Sequence, residues 1–249
     1  MIFIAGAEGS GTTLLRRLLA APERCASLGR DLVKLPNHPD AFPLFAALEE
    51  ASRRLWDRAA PLADAEQARR DWQLAADRIR LSPAFSGQTH VVLKRSFPFE
   101  TPRGRFVPDL WDALDLPGDT RIVVIYREPC AAVYSALRRG FDPDLRRLAV
   151  RCGEQLTWLA GQVRAIGPGP VRIVPYRALC ADPAAVLSSL ARFCGMLPDP
   201  MLREAASEGL ATDTDRRYAA ELPPTVVAWL EAFFDTRRRR QWDILEQAQ

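Results

Sequence analysis

A short loop near the amino terminus combines glycines with hydroxyl side chains directly before a helix. It follows the apolar run at residues 2–5 and precedes the amphipathic segment at residues 12–21. Glycines permit a tight turn, and the backbone N–H groups at the start of a helix attract anions. We therefore predict an anion-binding loop, whose candidate ligand residues are Glu8, Gly9, Ser10, Gly11, Thr12 and Thr13.

The loop has the spacing of a Walker A motif but lacks its lysine. Gly6 and Gly11 match GxxxxG, yet Thr12 stands where GxxxxGK[ST] has lysine. A kinase or ATPase places that lysine on the β- and γ-phosphates and the next hydroxyl on Mg²⁺. The missing lysine disfavours ordinary nucleoside-triphosphate chemistry, and a kinase with a variant phosphate loop is kept as an alternative.

A cation follows a second apolar run. Residues 122–126 are β-branched or aromatic, Arg127 follows them, and Ser135 comes eight residues after Arg127. Arg127 therefore ends a buried strand, and Ser135 lies about two turns into the next helix. A guanidinium and a hydroxyl in these positions can share one anion, and the guanidinium fork suits a phosphate monoester.

Two further strand ends carry candidate site residues. Lys94 ends the apolar run that begins at His90, and Tyr176 follows the run at residues 171–174. Of the 34 lysine and arginine residues, only Lys34 and Lys94 are lysines. Because the carboxyl ends of parallel strands meet at one edge of a sheet, we expect Lys94 and Tyr176 near the loop.

These segments resemble the sulfotransferases that use 3′-phosphoadenosine-5′-phosphosulfate (PAPS). Residues 9–15, GSGTTLL, resemble the family's 5′-phosphosulfate loop, and residues 122–135 resemble its 3′-phosphate segment. Residues 174–195 resemble a third family element, and Lys94 matches a lysine that faces the transfer centre. The chain departs from the family pattern at Gly9, where a basic residue is common, and at Arg177, where glutamate is usual. Arg16 and Arg95 are candidates for the cation that is missing at position 9.

The resemblance implies an enzyme that moves a sulfuryl group from PAPS to a hydroxyl or amine of a small molecule or glycan. The product nucleotide is 3′-phosphoadenosine-5′-phosphate (PAP), and no metal is expected because the moving group carries a single negative charge. A nucleotide-binding module that has lost catalysis is a further alternative. It is suggested by Gly9, Arg30 and Ser96, which replace residues expected in active relatives.

The resemblance also assigns roles to the candidate residues. The loop would hold the 5′ end of the nucleotide, Arg127 and Ser135 the 3′-phosphate, and Lys94 the charge at the transfer centre. Tyr176 is a candidate for contact with the adenine and, with equal weight, for packing in the core. Two further cofactor-binding candidates, Arg216 and Arg217, fall where relatives carry a basic stretch over the 3′-phosphate.

The general base is assigned by comparison with two groups of relatives. Ser96 stands where many cytosolic relatives have histidine, and serine alone does not serve as a base at neutral pH. In tyrosylprotein-type relatives a glutamate shortly after the first helix is the base, and Asp31 lies in the comparable stretch. We predict Asp31 as the base, with Glu100 and His38 as alternatives; a purely structural Asp31 is an equal alternative. His90 begins its strand, about 13 Å from the ligand end, and is interpreted as structural.

Strands and helices alternate along the chain. Predicted strands lie at residues 2–5, 91–93, 122–126 and 171–174, and predicted helices at 12–21, 43–58, 63–79, 129–139, 145–165, 183–194 and within 201–249. This alternation predicts an α/β fold, a three-layer sandwich with a central parallel sheet and ligands at the carboxyl ends of its strands. The resemblance makes it P-loop NTPase-like. No linker or repeat is found, so we predict one domain over residues 1–249.

The composition disfavours several other classes. Apolar residues make up 48%, charged residues 26%, and the net charge is +3, which gives no case for nucleic-acid or membrane binding. No apolar run approaches the about 20 residues that cross a bilayer. Five scattered cysteines without a CxxC pair favour a reducing compartment, so we predict a cytoplasmic location. The arginine-rich composition suggests a bacterial source. Residues 32–87 and 140–167 are expected to form much of the acceptor pocket. Five aromatic residues are candidates for its lining, although core packing is the commoner role for each: Trp56, Trp72, Phe85, Trp111 and Trp158.

Overall fold

The computed structural model describes residues 1–29, 32–55, 62–87, 90–94, 120–197, 199–207 and 215–246. Its strands are β1 (Ile2–Ala5), β2 (Cys25–Gly29), β3 (Leu32–Lys34), β4 (His90–Lys94), β5 (Arg121–Tyr126) and β6 (Val171–Pro175). They form one sheet in the order β3-β2-β4-β1-β5-β6. All neighbouring strands pair in parallel except β2 and β3, which are antiparallel. The predicted central parallel sheet is confirmed, and β2 and β3 extend it beyond the strands that the sequence predicts.

Helices cover both faces of the sheet. They are α1 (Thr12–Leu19), α2 (Ala41–Leu55), α3 (Leu62–Leu81), α4 (Pro129–Arg138), α5 (Leu145–Ile166), α6 (Tyr176–Ala181), α7 (Pro183–Phe193), α8 (Pro200–Ser207), α9 (Arg217–Glu221), α10 (Pro224–Gln241) and α11 (Asp243–Glu246), with a 3-10 turn at Pro83–Phe85. Each predicted helix is present with slightly different ends. In the described part of the chain, none of these helices combines the length and the apolar character needed to span a membrane.

Two apolar clusters pack on opposite faces of the sheet and make the predicted three layers. One contains residues of α2, α3, α4, α5, α10 and α11, and the other residues of α1, α6, α7 and α8. Trp72 and Phe85 belong to the first cluster, at 1% and 6% exposed, so both are core residues. Trp158 is partly buried against the same cluster, and Trp56 and Trp111 lie outside the described residues. That residues 1–249 form a single domain stays a prediction.

The first helix begins differently from three of the other long helices. The side chains of Glu128, Asp144 and Asp182 accept hydrogen bonds from backbone N–H groups at the starts of α4, α5 and α7. The N-cap of α1 is Gly11, which provides no side-chain acceptor. The positive end of the α1 dipole is therefore left without a side-chain cap at the carboxyl edge of the sheet.

Lys34 connects the edge strand β3 with the chain that follows α1 through hydrogen bonds. Its Nζ donates to the carbonyl oxygens of Ala20, Ala21 and Pro22, at 2.9, 2.6 and 2.6 Å. An ammonium group has three donors, and these three carbonyls use them all. One of the two lysines therefore has a structural position, at the amino-terminal edge of the sheet.

We predict that Lys34→Met lowers the free energy of unfolding by about 1–3 kcal/mol, because three partly buried carbonyl groups lose their donor. Chemical denaturation followed by circular dichroism measures the change. Arg78→Met, which removes an exposed cation near the end of α3, is the control and should change the free energy by less than about 0.5 kcal/mol. Equal effects of the two substitutions would show that the Lys34 contacts do not stabilise the fold.

Candidate nucleotide-binding site

Four strand ends bring the candidate residues to one edge of the sheet. The central strand β1 lies between β4 and β5, so the strand order reverses there. The loop at residues 6–11 follows β1, Lys94 ends β4, Arg127 follows β5 and Tyr176 follows β6. Open α/β sheets bind ligands in the crevice at such a reversal. The sequence predicts a P-loop NTPase-like fold, in which a glycine loop joins a central parallel strand to a helix, and this arrangement is present here.

The backbone of the loop requires glycine at two positions. Gly9 and Gly11 have φ angles of +81° and +99°, in the region that other residues rarely adopt. A Cβ at Gly9 would lie 2.1 Å from the carbonyl oxygen of Ala132, and one at Gly11 would lie 2.9 Å from the Tyr176 ring. The basic residue that is common in the family at position 9 is thus excluded by this loop conformation.

Ser10 makes two hydrogen bonds within the loop. The N–H and the hydroxyl of Ser10 both donate to the carbonyl oxygen of Ala7, at 3.1 and 2.7 Å. The predicted ligand residue Ser10 therefore holds the turn together. Thr12 is buried and Thr13 half-buried at the start of α1. The uncapped start of α1 is the part of the loop best suited to an anion.

Glu8 is turned towards α5. Its N–H donates to Oε1 of Gln155 at 2.9 Å, and its Oε2 lies 2.9 Å from Nε of Arg151. The side chains of Glu8 and Arg151 are 17% and 14% exposed. The acidic residue of the predicted ligand set is therefore paired with a cation that the sequence analysis does not identify.

Arg127 is buried and held by three separate parts of the chain. Its Nε donates to Oδ1 of Asp215 at 2.6 Å, and its Nη1 donates to the carbonyl oxygen of Gly9 at 3.1 Å. Its guanidinium carbon lies 4.3 Å from the centroid of the Tyr176 ring. Its side chain is 5% exposed. These contacts fix the plane of the guanidinium between the loop and α6, and they place Tyr176 in the core as well as beside the site.

A basic cavity of about 190 Å³ opens beside Arg127. It is lined by Arg127, Tyr134, Ser135, Arg138, Arg139 and Arg217. Three of the predicted residues, Arg127, Ser135 and Arg217, are therefore brought together. Arg216 is exposed and is not among the lining residues.

The charges around this cavity leave a net positive site. Among the described residues, its four arginines are accompanied by two carboxylates, Asp215 on Arg127 and Glu221 on Arg138. Glu221 also accepts a hydrogen bond from the Tyr134 hydroxyl, and this bond together with the charge of Arg138 lowers its pKa. Four cations and two anions give a net charge of about +2, the opposite of a phosphate monoester dianion.

Helical spacing could have identified part of this cavity from the sequence. Arg138 lies three residues after Ser135 on α4, so the two side chains share a face of the helix. Arg139 follows directly at the end of α4. Asp215 and Glu221 come from the chain around α9, and nothing in the local sequence connects them with α4 or β5.

The predicted catalytic residues are described only in part. Lys94 is half-buried and pairs in register with Ile4, at the end of β1. In the neighbouring strand β2, Ser27 pairs with Val92, so β2 also ends beside Lys94. Asp31 follows β2 but lies outside the described residues, as do Ser96 and Glu100.

The two histidines lie away from Lys94. His38 comes shortly after β3, which runs antiparallel and therefore leads to the amino-terminal edge of the sheet; its Nδ1 lies 3.7 Å from a carboxylate oxygen of Asp40. His90 begins β4, and its Nε2 lies 2.9 Å from the carbonyl oxygen of Cys194. Burial lowers the pKa of His90. Both histidines therefore lie towards the edge of the sheet opposite Lys94. The described residues contain no group of three or more His, Cys, Asp or Glu side chains placed to hold a metal ion.

Several solved structures share this fold. Mouse sulfotransferase SULT7A1 complexed with PAP has a TM-score of 0.55 and 12% identity over 99% of this chain and 86% of that one. Sulfotransferase STF1 from Mycobacterium tuberculosis H37Rv has a TM-score of 0.53 and 18% identity over 94% and 75%. The sulfotransferase domain of the Synechococcus PCC 7002 olefin synthase has a TM-score of 0.52 and 19% identity over 94% and 86%.

At these identities the structures establish the fold and not the substrate. No curated protein is significantly similar to this chain. The model of the sulfotransferase family, in contrast, matches residues 2–199, which is most of the sequence. The loop after β1 and the arginine cavity after β5 lie within or beside this matched region, and the chain belongs to the sulfotransferase family.

Proposed function

We propose that this protein is a PAPS-dependent sulfotransferase that acts on a hydroxyl or amine of a small molecule or glycan. The observation that carries the proposal is that one residue, Arg127, connects the basic cavity with the loop before the uncapped start of α1. Arg127 lines the basic cavity and also donates to the carbonyl oxygen of Gly9 in the loop. A nucleotide with separate 5′ and 3′ anionic groups fits two proposed anion sites, the cavity and the start of α1, better than a single triphosphate chain does.

The residues divide between the two ends of this nucleotide. The start of α1, with Gly11, Thr12 and Thr13, would hold the 5′ end through backbone N–H and hydroxyl groups. Arg127, Ser135 and Arg217 would hold the 3′-phosphate. The net charge of about +2 around the cavity supports a dianionic group there.

Tyr176 would border the adenine. Its ring lies against both the Gly11 position and the Arg127 guanidinium. A nucleotide that spans the two proposed anion sites would have its base beside this ring. Because Tyr176 is buried and also contacts Arg127, it can pack in the core and border the nucleotide.

The transfer needs a proton acceptor and a group that stabilises the leaving oxygen. In the proposed step, the Asp31 carboxylate takes the acceptor proton while the acceptor oxygen or nitrogen bonds to sulfur. The bond between sulfur and the bridging oxygen breaks, and its electron pair remains on the 5′-phosphate of PAP. Lys94 and the start of α1 would stabilise that charge.

The proposed location is the cytoplasm, and the thiols support it. The five cysteines are free, and four of them are buried: Cys25, Cys130, Cys152 and Cys194. Burial raises the pKa of Cys194 to about 11, so its unreactive thiol form is favoured. Such thiols suit a reducing compartment.

We predict that PAP binds without a divalent metal and raises the melting temperature. PAP at 100 times its Kd should stabilise the protein by about 2.7 kcal/mol. Calorimetric titration and thermal melts with PAP and with ATP–Mg²⁺ measure this. Stabilisation by ATP–Mg²⁺ and not by PAP would contradict the proposal and favour a kinase. PAP binding without sulfation of any acceptor would favour the non-catalytic module.

We predict that the basic cavity recognises the 3′-phosphate specifically. Arg217→Ala should weaken PAP about tenfold or more, and Ser135→Ala by a smaller factor, because each loses a contact to a charged group. Neither substitution should change the affinity for adenosine-5′-phosphosulfate, which has no 3′-phosphate. Arg216→Ala is the matched comparison and should have the smaller effect on PAP, since Arg216 does not line the cavity. Equal losses for the two nucleotides would place the 3′-phosphate elsewhere.

We predict that Asp31→Asn reduces turnover at least about a hundredfold, as expected for removal of a general base. PAP affinity and the melting temperature should change little. Sulfation assays on Asp31→Asn, Glu100→Gln and His38→Ala in parallel separate the three candidates. Near-normal turnover in Asp31→Asn, with loss in one of the others, would assign the base to that residue.

A further inference from the structure

A carboxylate lies inside the loop that is proposed to bind the 5′ end of the nucleotide. Glu8 is between Gly6 and Gly9, and its side chain is mostly buried. A negative charge so near the start of α1 opposes the binding of an anion there. Solvent ions screen a buried charge poorly, so a protein group has to neutralise it.

Two residues of α5 contact Glu8. Gln155 accepts a hydrogen bond from the N–H of Glu8 at 2.9 Å, and the Arg151 guanidinium lies 2.9 Å from the Glu8 carboxylate. Arg151 and Gln155 are four residues apart and therefore lie on the same face of α5. Gln155 is 1% exposed, so these contacts attach the loop to α5 in a region shielded from water.

Glu8 is a closer partner for Arg151 than Asp142 is. A second carboxylate near Arg151 belongs to Asp142, whose Oδ2 is 4.0 Å from Nη1 of Arg151. Asp142 has a closer partner in Arg147, at 2.9 Å. Two ion pairs result, and the charge of Arg151 is set mainly against Glu8.

We propose that Arg151 is a positioning residue for the 5′ end of the nucleotide: it neutralises Glu8 and fixes the loop against α5. The inference rests on the proposed function, because it requires an anion at the start of α1. A basic residue at position 9 could not neutralise Glu8 from within the loop, because its Cβ would lie 2.1 Å from the Ala132 carbonyl oxygen. The charge of Glu8 is therefore balanced from the neighbouring helix and not by a basic residue at position 9.

The test compares two nucleotides that differ at the 5′ end. PAP carries both phosphates, and adenosine 3′-monophosphate (3′-AMP) keeps only the 3′-phosphate. Arg151→Met should weaken PAP about tenfold or more, because the uncompensated Glu8 then repels the 5′-phosphate. The affinity for 3′-AMP should stay within about twofold of the unsubstituted protein.

A second substitution separates charge from structure. Glu8→Gln in the Arg151→Met protein should restore the affinity for PAP to within about threefold. Glu8→Gln alone should bind PAP at least as tightly as the unsubstituted protein, so the inference is also tested in a variant that keeps Arg151. Arg164→Met is the matched control, because it removes a partly exposed cation near the other end of α5, and it should change neither affinity.

Calorimetric titration of these variants distinguishes the outcomes. PAP binding by the unsubstituted protein, with no loss in Arg151→Met, overturns this inference and leaves the proposed function intact. Equal weakening of PAP and 3′-AMP, or no recovery in the double variant, also overturns it, since both indicate a general structural role. Weaker PAP binding by Glu8→Gln alone overturns it as well. Failure of the unsubstituted protein to bind PAP overturns the proposed function and the inference together.

Discussion

The burial of the Arg127 guanidinium is the constraint on which the rest of the site depends. A guanidinium cannot lose its charge in a protein, so a side chain that is 5% exposed must be compensated by its surroundings. Here the compensation comes from the Asp215 carboxylate, the Gly9 carbonyl and the face of the Tyr176 ring. Each belongs to a different part of the chain. One buried cation thereby fixes the loop after β1, the start of α6 and the turn before α9 relative to β5.

The strands and helices that form this frame could be predicted from the sequence wherever their pattern is strong. β1 and β5 are continuous apolar runs, as expected of strands buried on both faces. Pro129 and Pro183 begin α4 and α7, where a missing N–H costs no hydrogen bond. Because parallel strands end at one edge, identifying the strands was sufficient to bring Lys94, Arg127 and the loop together.

The parts that the sequence did not predict depend on long-range packing. β2 reads Cys-Ala-Ser-Leu-Gly, which has no β-branched run, and it is a strand because it pairs with β4. Asp215 and Glu221 reach the site because the chain around α9 packs near α4. Tyr134 and Glu221, which are in contact, are 87 residues apart in the sequence. Local spacing predicts which residues share a helix face. It does not predict which distant segment will cover that face.

The same distinction explains how the loop differs from the family pattern. A basic residue within a phosphate loop acts on the anion bound by that loop, and the sequence alone shows that position 9 lacks one. The structure gives the reason, since Gly9 packs against the backbone of Ala132 in α4 with no space for a side chain. Arg127, which directly follows β5, instead places a cation beside the loop, while Arg151 on α5 balances the negative charge of Glu8 within it. Arg127 directly follows a strand and Arg151 lies on a helix, and both side chains are mostly buried. Cations placed in this way have little conformational freedom left to lose when an anion binds, and this is the advantage of carrying the charge on the scaffold and not on the loop.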